Sequence, residues 1–548
     1  MPTPNISSDR RRLELTAVLA ILAFGAVLRT IQFGAMGSMW LDELAIALNV
    51  TERSMGELLL RSLDHVQVAP PGFLALEKAG VWLLGPGEAG LRLFPWLAGI
   101  GALVLFWRVA ARAVDGIELQ AGLLVFAASP ALVWQGATAK QYSGDVFVTL
   151  LLLLLALRVD EERGGVREAA VAGTLGGAAL LASQPAVLVA AGLVLVLAVR
   201  RLRARRPLVP VLALGAGWAV GAGVVTAASL LVVSPEVRGA MAAAWSNDFP
   251  ATTESPWGPF ALLPRRLVGL LGYLLFYVKP KSVPEHGYTL LFSAFALAGA
   301  WRLARRKTAI APFLAVPVVA GVLAVLIQLL PLYNRVALYM APVLLIAAMT
   351  GMEELRSRLS DRARQLATVG SLGLFALPAA LVLTIGRPPY RTEEARPVLS
   401  ELASRWRPGD EIYVYPSSEL AMRFYGPDVE WITGGPNRED SRAYFREIDA
   451  LRGQPRVWFF HTHGFPCEPE AIRSYLEAIG HELDRIPDPH GLRGQREAAA
   501  YLYDLGDPVR LARADAETHP HPRSTSEKSE PQGCGYSRQP HAAAVRGE

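Results

Sequence analysis

Long apolar runs separated by short polar loops constrain the fold of this chain more than any other feature of its sequence. A helix needs roughly 17 to 25 apolar residues to cross about 30 Å of hydrocarbon. About eleven segments approach this length. These segments lie near residues 13–31, 90–109, 118–136, 143–158, 167–184, 185–199, 208–232, 288–303, 309–330, 335–351 and 365–386. The sequence therefore predicts a polytopic α-helical membrane protein, in which the long run 167–199 breaks near Pro185.

The composition agrees with a chain that is partly solvated by lipid. Of its 548 residues, 52% are hydrophobic and 19% are charged, whereas soluble domains carry about 25% charged residues. The net charge of +5 is small for this length, so a basic nucleic-acid-binding face is not expected. The two cysteines, Cys467 and Cys534, are too few for a disulfide scaffold and leave the redox compartment open.

Clusters of arginine and lysine predict the orientation in the membrane, because such clusters in short loops resist translocation. One cluster, near residues 10–12, precedes the first apolar segment. The others follow every second segment, near residues 108–112, 158–167, 200–206, 302–307 and 356–364. The sequence thus predicts a multi-pass protein of the cell membrane with a cytoplasmic N-terminus and a retained first helix. The long loops 32–89 and 233–287 are then extracytoplasmic. Within the second loop, residues 265–278 are predicted to form an amphipathic helix in the outer interface.

The residues after 386 have a different pattern. Short β-rich runs at 411–416, 429–433, 456–462 and 499–505 alternate with helical stretches. Strands that alternate with helices predict a small extracytoplasmic α/β domain over 387–508. Residues 509–548 contain few large apolar side chains and are predicted to be disordered. Residues 1–386 form the transmembrane domain on this interpretation.

Two adjacent carboxylates, Asp42 and Glu43, open the first outer loop just after Trp40. Asp42 is at a position typical of a helix N-cap, where its side chain would accept hydrogen bonds from the next turn. A carboxylate held at the membrane surface can also act as a general base or as a metal ligand. The residues alone leave both roles open.

Cations occur at two other outer turns, in Lys140-Gln141-Tyr142 and in Tyr333-Asn334-Arg335. Such cations can reach out of the membrane towards its polar surface, or they can bind a phosphate. Together with acids on the same side, they indicate a site for a phosphorylated lipid. The sequence contains no Walker loop and no Asp-x-Asp motif, so a cytosolic nucleotide donor is not expected.

Two smaller patterns have more than one interpretation. Gly217 and Gly221 are predicted to pack helices together. His461 and His463 could bind a metal, although alternate residues of a strand usually just share one face.

The order and sidedness of five motifs resemble those of the GT-C superfamily of integral-membrane glycosyltransferases. These motifs are Trp-Leu-Asp-Glu at 40–43, Ala-Pro-Pro-Gly-Phe at 69–73, Leu-Arg-Leu at 91–93, Lys-Gln-Tyr at 140–142 and Tyr-Asn-Arg at 333–335. The resemblance is to bacterial members similar to protein mannosyltransferases and aminoarabinose transferases. It covers roughly residues 10–386 and implies a GT-C-like transmembrane domain.

The resemblance implies an enzyme that transfers a sugar from a polyprenyl-phosphate carrier to an extracytoplasmic acceptor with inversion. Asp42 would activate the acceptor hydroxyl or position a divalent metal, and Glu43 would assist it. Lys140 and Arg335 would hold the departing lipid phosphate, and Tyr142 would line the same pocket. Family members commonly have an arginine or glutamate just before the tyrosine, where this chain has Lys140 and Gln141.

Arg92 is a further candidate for phosphate binding, and the sugar and the acceptor remain undetermined. A transporter or flippase of a lipid-linked sugar is the alternative function, since it could use the same outer charges for binding alone. Transporters usually place polar groups near the middle of the membrane. The predicted spans carry charge only near their ends, which favours the enzyme.

Overall fold

The structure is a computed structural model, and it describes nine stretches of the chain. These are residues 6–161, 165–249, 258–276, 282–306, 308–384, 388–436, 442–465, 467–492 and 497–511. The chain forms two compact units. The helical unit comprises residues 6–36, 53–63 and 67–390, and the sheet unit comprises residues 37–52, 64–66 and 391–511.

Helices dominate the chain as far as residue 384. They are α1 (Ile6–Gly34), α2 (Leu41–Glu52), α3 (Met55–Leu60), α4 (Pro71–Leu84), α5 (Glu88–Ala110), α6 (Gly116–Ala128), α7 (Pro130–Gln135), α8 (Tyr142–Asp160), α9 (Gly165–Leu180), α10 (Pro185–Arg203), α11 (Val209–Ala227), α12 (Pro235–Ala244), α13 (Gly258–Phe276), α14 (Val283–Arg305), α15 (Ala311–Leu326), α16 (Ala341–Ser357) and α17 (Asp361–Thr384). All of them except α2 belong to the helical unit.

Six helical stretches among the described residues are long and apolar enough to cross a membrane. They are Arg11–Gly34, Glu88–Ala110, Tyr142–Asp160, Pro185–Arg203, Val209–Val232 and Leu338–Ser357. Large apolar side chains such as Leu195, Leu212 and Leu297 are exposed on the outer faces of the helices, as expected for side chains that contact lipid. The chain is therefore a polytopic helical membrane protein.

Each apolar segment singled out in the sequence coincides with helix, and α9 and α10 are separated at Pro185 as predicted. Segment 118–136 is the exception, because it is broken at Ser129 into α6 and α7. Pro130 has no N–H with which to continue the hydrogen-bond ladder. The carbonyls of Phe126 and Ala127 accept hydrogen bonds from the buried Arg29 guanidinium instead, at 3.3 and 3.0 Å.

The segment predicted as an interfacial helix, 265–278, lies mostly in α13. This helix has 19 residues, and its second half is buried in the helical core, including Leu270, Leu271, Tyr273 and Leu274. Ser129 Oγ donates a hydrogen bond to the carbonyl of Leu274 at 2.6 Å. The second half of the helix therefore packs inside the helical unit and is not simply a surface element.

Glycines allow α9 and α11 to approach each other backbone to backbone. A Cβ atom on Gly177 would lie 2.2 Å from the carbonyl oxygen of Gly217, and one on Gly221 would lie 2.1 Å from that of Gly177. Neither distance can accommodate a side chain. The predicted packing role of Gly217 and Gly221 is thus confirmed.

Ion pairs join the helix ends where the arginine clusters lie. Arg112 pairs with Glu161 at 2.8 Å, Arg200 with Asp160 at 2.8 Å, and Arg356 with Glu118 at 2.7 Å. These pairs connect the ends of helices from separate parts of the sequence. The arginine clusters in these pairs therefore lie at neighbouring helix ends, as a common side of the membrane requires.

The sheet unit contains a five-stranded sheet and short helices. Its elements after α2 are α18 (Ala395–Arg405), β1 (Glu411–Val414), α19 (Glu419–Tyr425), β2 (Ile432–Thr433), α20 (Arg442–Asp449), β3 (Val457–Thr462), α21 (Glu468–Ile479), β4 (His481–Ile486) and β5 (Ala498–Asp504). The strand order is β2-β1-β3-β5-β4. The pairs β1–β2 and β1–β3 are parallel, whereas β3–β5 and β4–β5 are antiparallel.

Strand β4 was not predicted, because its sequence, HELDRI, is mostly charged and resembles the end of the preceding helix. It lies at the edge of the sheet, where most of its side chains are exposed. Residues 512–548, which include most of the predicted disordered tail, lie outside the described residues. Cys534 lies in that tail.

Part of the loop after α1 belongs to the sheet unit. Residues 37–52 and 64–66 are part of the sheet unit. Helix α2 packs against α19, and Arg423 of α19 forms a two-pronged ion pair with Glu52 at 3.0 and 2.6 Å. The apolar residues of α2 are buried almost all round, so the helix requires a surrounding domain.

Candidate functional site

The first turn of α2 carries Asp42 and Glu43. The helix begins at Leu41, so Trp40 occupies the N-cap position, and its carbonyl accepts the first helical hydrogen bond from Leu44. Glu43 is buried, and its Oε2 accepts a hydrogen bond from the Trp40 N–H at 3.4 Å. Glu43 therefore caps the N–H of Trp40, and Asp42 is the second residue of the helix and not its N-cap. Asp42 itself is half-buried at the helix N-terminus, where the helix dipole favours a negative charge.

Two further buried carboxylates, Glu393 and Glu394, hold the segment before α2. Glu394 Oε2 accepts hydrogen bonds from the N–H and the hydroxyl of Ser38 at 3.3 and 3.1 Å, and Arg391 donates to its Oε1 at 3.0 Å. Glu393 Oε2 accepts a hydrogen bond from the Leu41 N–H at 3.3 Å. We call Asp42, Glu43, Glu393 and Glu394 the acidic cluster.

His463 contacts the acidic cluster directly. Its Nδ1 lies 2.6 Å from Glu393 Oε1, and its ring centroid lies 6.3 Å from that of Trp40. Ser417 Oγ donates a hydrogen bond to the His463 carbonyl at 2.9 Å. The side chain of His463 is 20% exposed, whereas that of Glu393 is 5% exposed, so the imidazole is the more accessible member of the pair.

His461, two residues earlier, has very different surroundings. Its ring is buried in β3 and stacks on Tyr501 with centroids 5.9 Å apart. Burial, assisted by the charge of Arg473, lowers the pKa of His461 to about 3. The histidine is neutral at physiological pH, and His463 does not share its environment.

The predicted phosphate-binding residues lie in the helical unit. Lys140 is buried just before α8, and its Nζ donates a hydrogen bond to Gln67 Oε1 at 2.6 Å. Tyr142 is the first residue of α8, and the Arg335 guanidinium lies 5.7 Å from the centroid of its ring. The structure thus brings Arg335 to Tyr142, although about 190 residues separate them in sequence. We call Lys140, Tyr142 and Arg335 the cation cluster.

Aromatic and amide side chains surround the same region of the helical unit. Tyr333, two residues before Arg335, packs against Trp245 with centroids 5.8 Å apart. Gln135 Nε2 donates a hydrogen bond to the hydroxyl of Tyr273 at 2.9 Å. Arg92 is buried in the second turn of α5, and its proposed contact with phosphate stays a prediction.

Gln67, the hydrogen-bond partner of Lys140, also lines a small open cleft. Most of the other lining residues are apolar, including Leu58, Leu63, Leu74 and Val232. A cleft of this composition suits an aliphatic chain. It adjoins the residue that holds Lys140.

The acidic cluster does not fit a metal centre. Glu43, Glu393 and Glu394 accept hydrogen bonds from backbone N–H groups, from Ser38 and Arg391, or pair with His463. In the part of the chain that the structure describes, no three His, Cys, Asp or Glu side chains are arranged to hold a metal ion. The proposed role of Asp42 therefore does not include a metal ion.

Comparison with known proteins identifies the fold. No protein-family model and no curated protein matches the sequence. Among solved structures, ArnT from Cupriavidus metallidurans bound to undecaprenyl phosphate aligns with a TM-score of 0.53 at 15% identity, over 88% of this chain and 97% of that one. The chain has the fold of this ArnT structure.

Two other solved structures with this kind of fold also align. The apo form of the same ArnT has a TM-score of 0.49 at 15% identity, covering 89% of this chain and 98% of that one. The oligosaccharyltransferase AglB from Archaeoglobus fulgidus, in complex with an inhibitory peptide and a dolichol-phosphate, has a TM-score of 0.47 at 11% identity. It covers 88% of this chain and 74% of the AglB chain.

Within this fold, sequence reasoning missed Glu393, Glu394, His463 and Gln67. The adjacent acids at 393–394, just after the last apolar segment, repeat the pair at 42–43 and were the available signal. The contact between Glu393 and Leu41 joins positions 352 residues apart. Only a folded structure reveals such a contact.

Proposed function

We propose that the protein is a membrane glycosyltransferase that moves a sugar from a polyprenyl-phosphate donor to an extracytoplasmic acceptor with inversion. The observation that carries this proposal is the cation cluster beside an apolar cleft, within the fold shared with ArnT. A buried lysine and a nearby arginine can bind a phosphate, and the adjoining cleft suits an isoprenoid chain. Fold likeness alone would not specify an activity.

The cation cluster stabilises the leaving group in this mechanism. When the bond between C1 of the sugar and the phosphate oxygen breaks, its electron pair remains on the phosphate. Preorganised cations lower the energy of that developing charge. Lys140 and Arg335 supply the charge, Tyr142 lies against the Arg335 guanidinium, and Arg92 is a further candidate for the same role.

Asp42 activates the acceptor in this mechanism. The acceptor oxygen attacks C1 from the face opposite the phosphate, which gives inversion, and its proton must pass to a base. Asp42 at the N-terminus of α2 is an anionic side chain that can bind the acceptor hydroxyl. Glu43 holds the end of the same helix through Trp40.

A transporter of a lipid-linked sugar is less well supported. Two buried charged residues of the described spans, Arg29 and Asp145, lie near helix ends. Arg29 contacts backbone carbonyls, and Asp145 accepts a hydrogen bond from Ser183 at 2.6 Å. These contacts are structural and do not form a path through the membrane.

Transfer of labelled sugar tests the function. Purified full-length protein is incubated with polyprenyl-phosphate sugars labelled in the sugar and with envelope fractions as acceptors. We expect label to move from lipid to acceptor, and the double variant Lys140→Gln with Arg335→Gln to serve as the inactive control. Movement of labelled lipid across proteoliposomes without transfer to any acceptor would contradict the enzyme and support the transporter.

The orientation is part of the proposal and has its own test. Single cysteines at Gly56 and Glu401 should react with an impermeant reagent from outside the cell, whereas one at Ala204 should not. All three positions are exposed, and the native Cys467 and Cys534 are replaced by serine in the background. Labelling of Ala204 with protection of the other two would contradict an extracytoplasmic acceptor.

A further inference from the structure

Glu393 connects two parts of the sheet unit, the start of α2 and the residue that follows β3. One of its oxygens accepts a hydrogen bond from the N–H of Leu41, the first residue of the helix that carries Asp42. The other lies 2.6 Å from Nδ1 of His463. A single buried carboxylate therefore fixes both the N-terminus of α2 and the imidazole.

The backbone at this pair is held in an unusual conformation. Glu393 has φ of 46° and His463 has φ of 51°, in the left-handed region that non-glycine residues seldom adopt. Such a conformation is unfavourable for a non-glycine residue and persists only where its surroundings hold it. Here the Ser417 hydroxyl holds the His463 carbonyl at 2.9 Å. The surroundings thus hold both residues in an unfavourable backbone conformation, in which their side chains contact each other.

The pairing has a definite chemical consequence for the imidazole. A carboxylate beside Nδ1 fixes the tautomer in which Nδ1 carries the proton, and Nε2 is then the basic nitrogen. The carboxylate also stabilises the imidazolium that forms when Nε2 accepts a proton. An imidazole is better matched to proton transfer near neutral pH than an ordinary aspartate, whose carboxylate is a weaker base.

We propose that His463, oriented by Glu393, accepts the proton that the acceptor hydroxyl loses during sugar transfer. This inference rests on the proposed glycosyltransferase function and refines one of its roles. The acceptor oxygen forms its bond to C1, the electron pair of the C1–oxygen bond leaves with the phosphate, and the hydroxyl proton moves to Nε2. The product is an imidazolium paired with the Glu393 carboxylate, and Asp42 holds the acceptor hydroxyl.

Kinetics of the full-length protein test this role. His463→Asn is suited to the left-handed backbone, because asparagine tolerates positive φ, and its amide can still donate to Glu393. We expect kcat to fall about 100-fold or more, with unchanged donor KM and unchanged thermal midpoint. The kcat of Glu393→Gln should fall less, since the amide oxygen of the glutamine can still accept a hydrogen bond from Nδ1–H of His463.

Chemical rescue separates proton transfer from a structural role. In His463→Gly, added imidazole should restore at least about a tenth of the lost rate, because a free base can occupy the space of the side chain. His481→Asn is the matched control, since His481 also pairs with a carboxylate, Asp507, at 3.0 Å on the edge strand of the same unit. It should leave kcat unchanged.

These measurements separate the role of His463 from the glycosyltransferase function. Normal kcat in folded His463→Asn, or a loss that imidazole does not restore in a folded His463→Gly, would overturn the role of His463 and leave the glycosyltransferase function intact. A wild-type protein that transfers no sugar from any polyprenyl-phosphate donor would contradict the proposed function, and this inference with it.

Discussion

The two units of the molecule carry opposite kinds of functional charge. In the helical unit, Lys140 and Arg335 lie beside an amide and a tyrosine ring at helix ends. In the sheet unit, buried carboxylates surround the first turn of α2. The proposed mechanism therefore uses the helical unit to bind the donor phosphate and the sheet unit to activate the acceptor, and the two units fold around different cores. Substitutions in one unit should change one step and spare the other.

The units also differ in what stabilises them. Helices of the helical unit approach through glycines until backbones touch. The sheet unit buries ionisable groups, such as Asp410, whose oxygens accept hydrogen bonds from Arg456 at 2.6 and 3.0 Å. The first unit should be sensitive to added volume, and the second to pH.

Asp42→Asn should have the largest effect. Because Glu43 makes the capping contact, the asparagine should leave folding unchanged, while transfer slows by about 100-fold or more. Donor-lipid binding, measured separately by displacement of a labelled donor, should be unchanged. Glu43→Gln should be milder, since the amide oxygen can still accept from Trp40. A stable Asp42→Asn protein with full transfer activity would remove Asp42 from the mechanism.

Neutralising the cation cluster should produce the opposite pattern. Lys140→Gln or Arg335→Gln should weaken donor binding by about 1.5 to 3 kcal/mol, the range for hydrogen bonds to charged groups. Arg335→Lys should recover only part of this loss, because lysine lacks the two-pronged donor geometry. Arg238→Gln, at an exposed position of α12, is the control. Unchanged donor affinity in both neutralised variants would place the phosphate elsewhere, with Arg92 the next candidate.

The packing difference can be tested with two glycines of α11. Gly221→Ala should lower the free energy of unfolding by about 1 to 3 kcal/mol, because its methyl group would overlap the carbonyl of Gly177. Gly223→Ala meets nothing within 4 Å and should be neutral or stabilise by up to about 1 kcal/mol. Thermal midpoints of the purified protein provide the measurement. Equal midpoints would show that α9 and α11 do not pack in this way.

The pH dependence of the sheet unit should depend on His461. An unfolded histidine has a pKa of about 6.5, whereas burial lowers that of His461 to about 3 in the folded protein. Between these values only the unfolded state binds the proton, so stability falls by about 1.4 kcal/mol for each pH unit below about 6.5. His461→Phe keeps the stacking on Tyr501 and should remove this contribution. The measurement compares thermal midpoints at pH 5.5 and 7.5, and identical pH dependence in both proteins would contradict it.

Much of the helical fold could be predicted because hydrophobic length and proline positions are local signals. Each predicted apolar segment coincides with helix, and Pro185 begins α10 as expected. The break at Ser129 was missed, although Pro130 was visible, because the apolar run continues through it. What makes the break tolerable is Arg29, almost 100 positions away in the sequence, and no local pattern reveals that partner.

The candidate site was less predictable than the fold. The residue types at Asp42, Lys140 and Arg335 indicated their chemistry, and the structure brings Arg335 to Tyr142. The N-cap is Trp40 and not Asp42, two residues from the predicted position, since the start of a helix depends on its tertiary contacts as well as on its sequence. Glu393 and His463 were not recognised as a pair because the residue that follows β3 and the segment before α18 meet only in the folded sheet unit.

The assignment of α2 to the sheet unit has a consequence for synthesis. Helix α2 leaves the ribosome early, but apart from residues 64–66 the rest of its unit begins only at Arg391. About 340 residues must be added in between, which takes about 17 to 70 s at ordinary elongation rates. During that time the apolar side chains of α2, including Leu44, Ile46 and Val50, cannot yet pack against the rest of the sheet unit. A chaperone or the membrane surface must shield it until the C-terminal strands arrive.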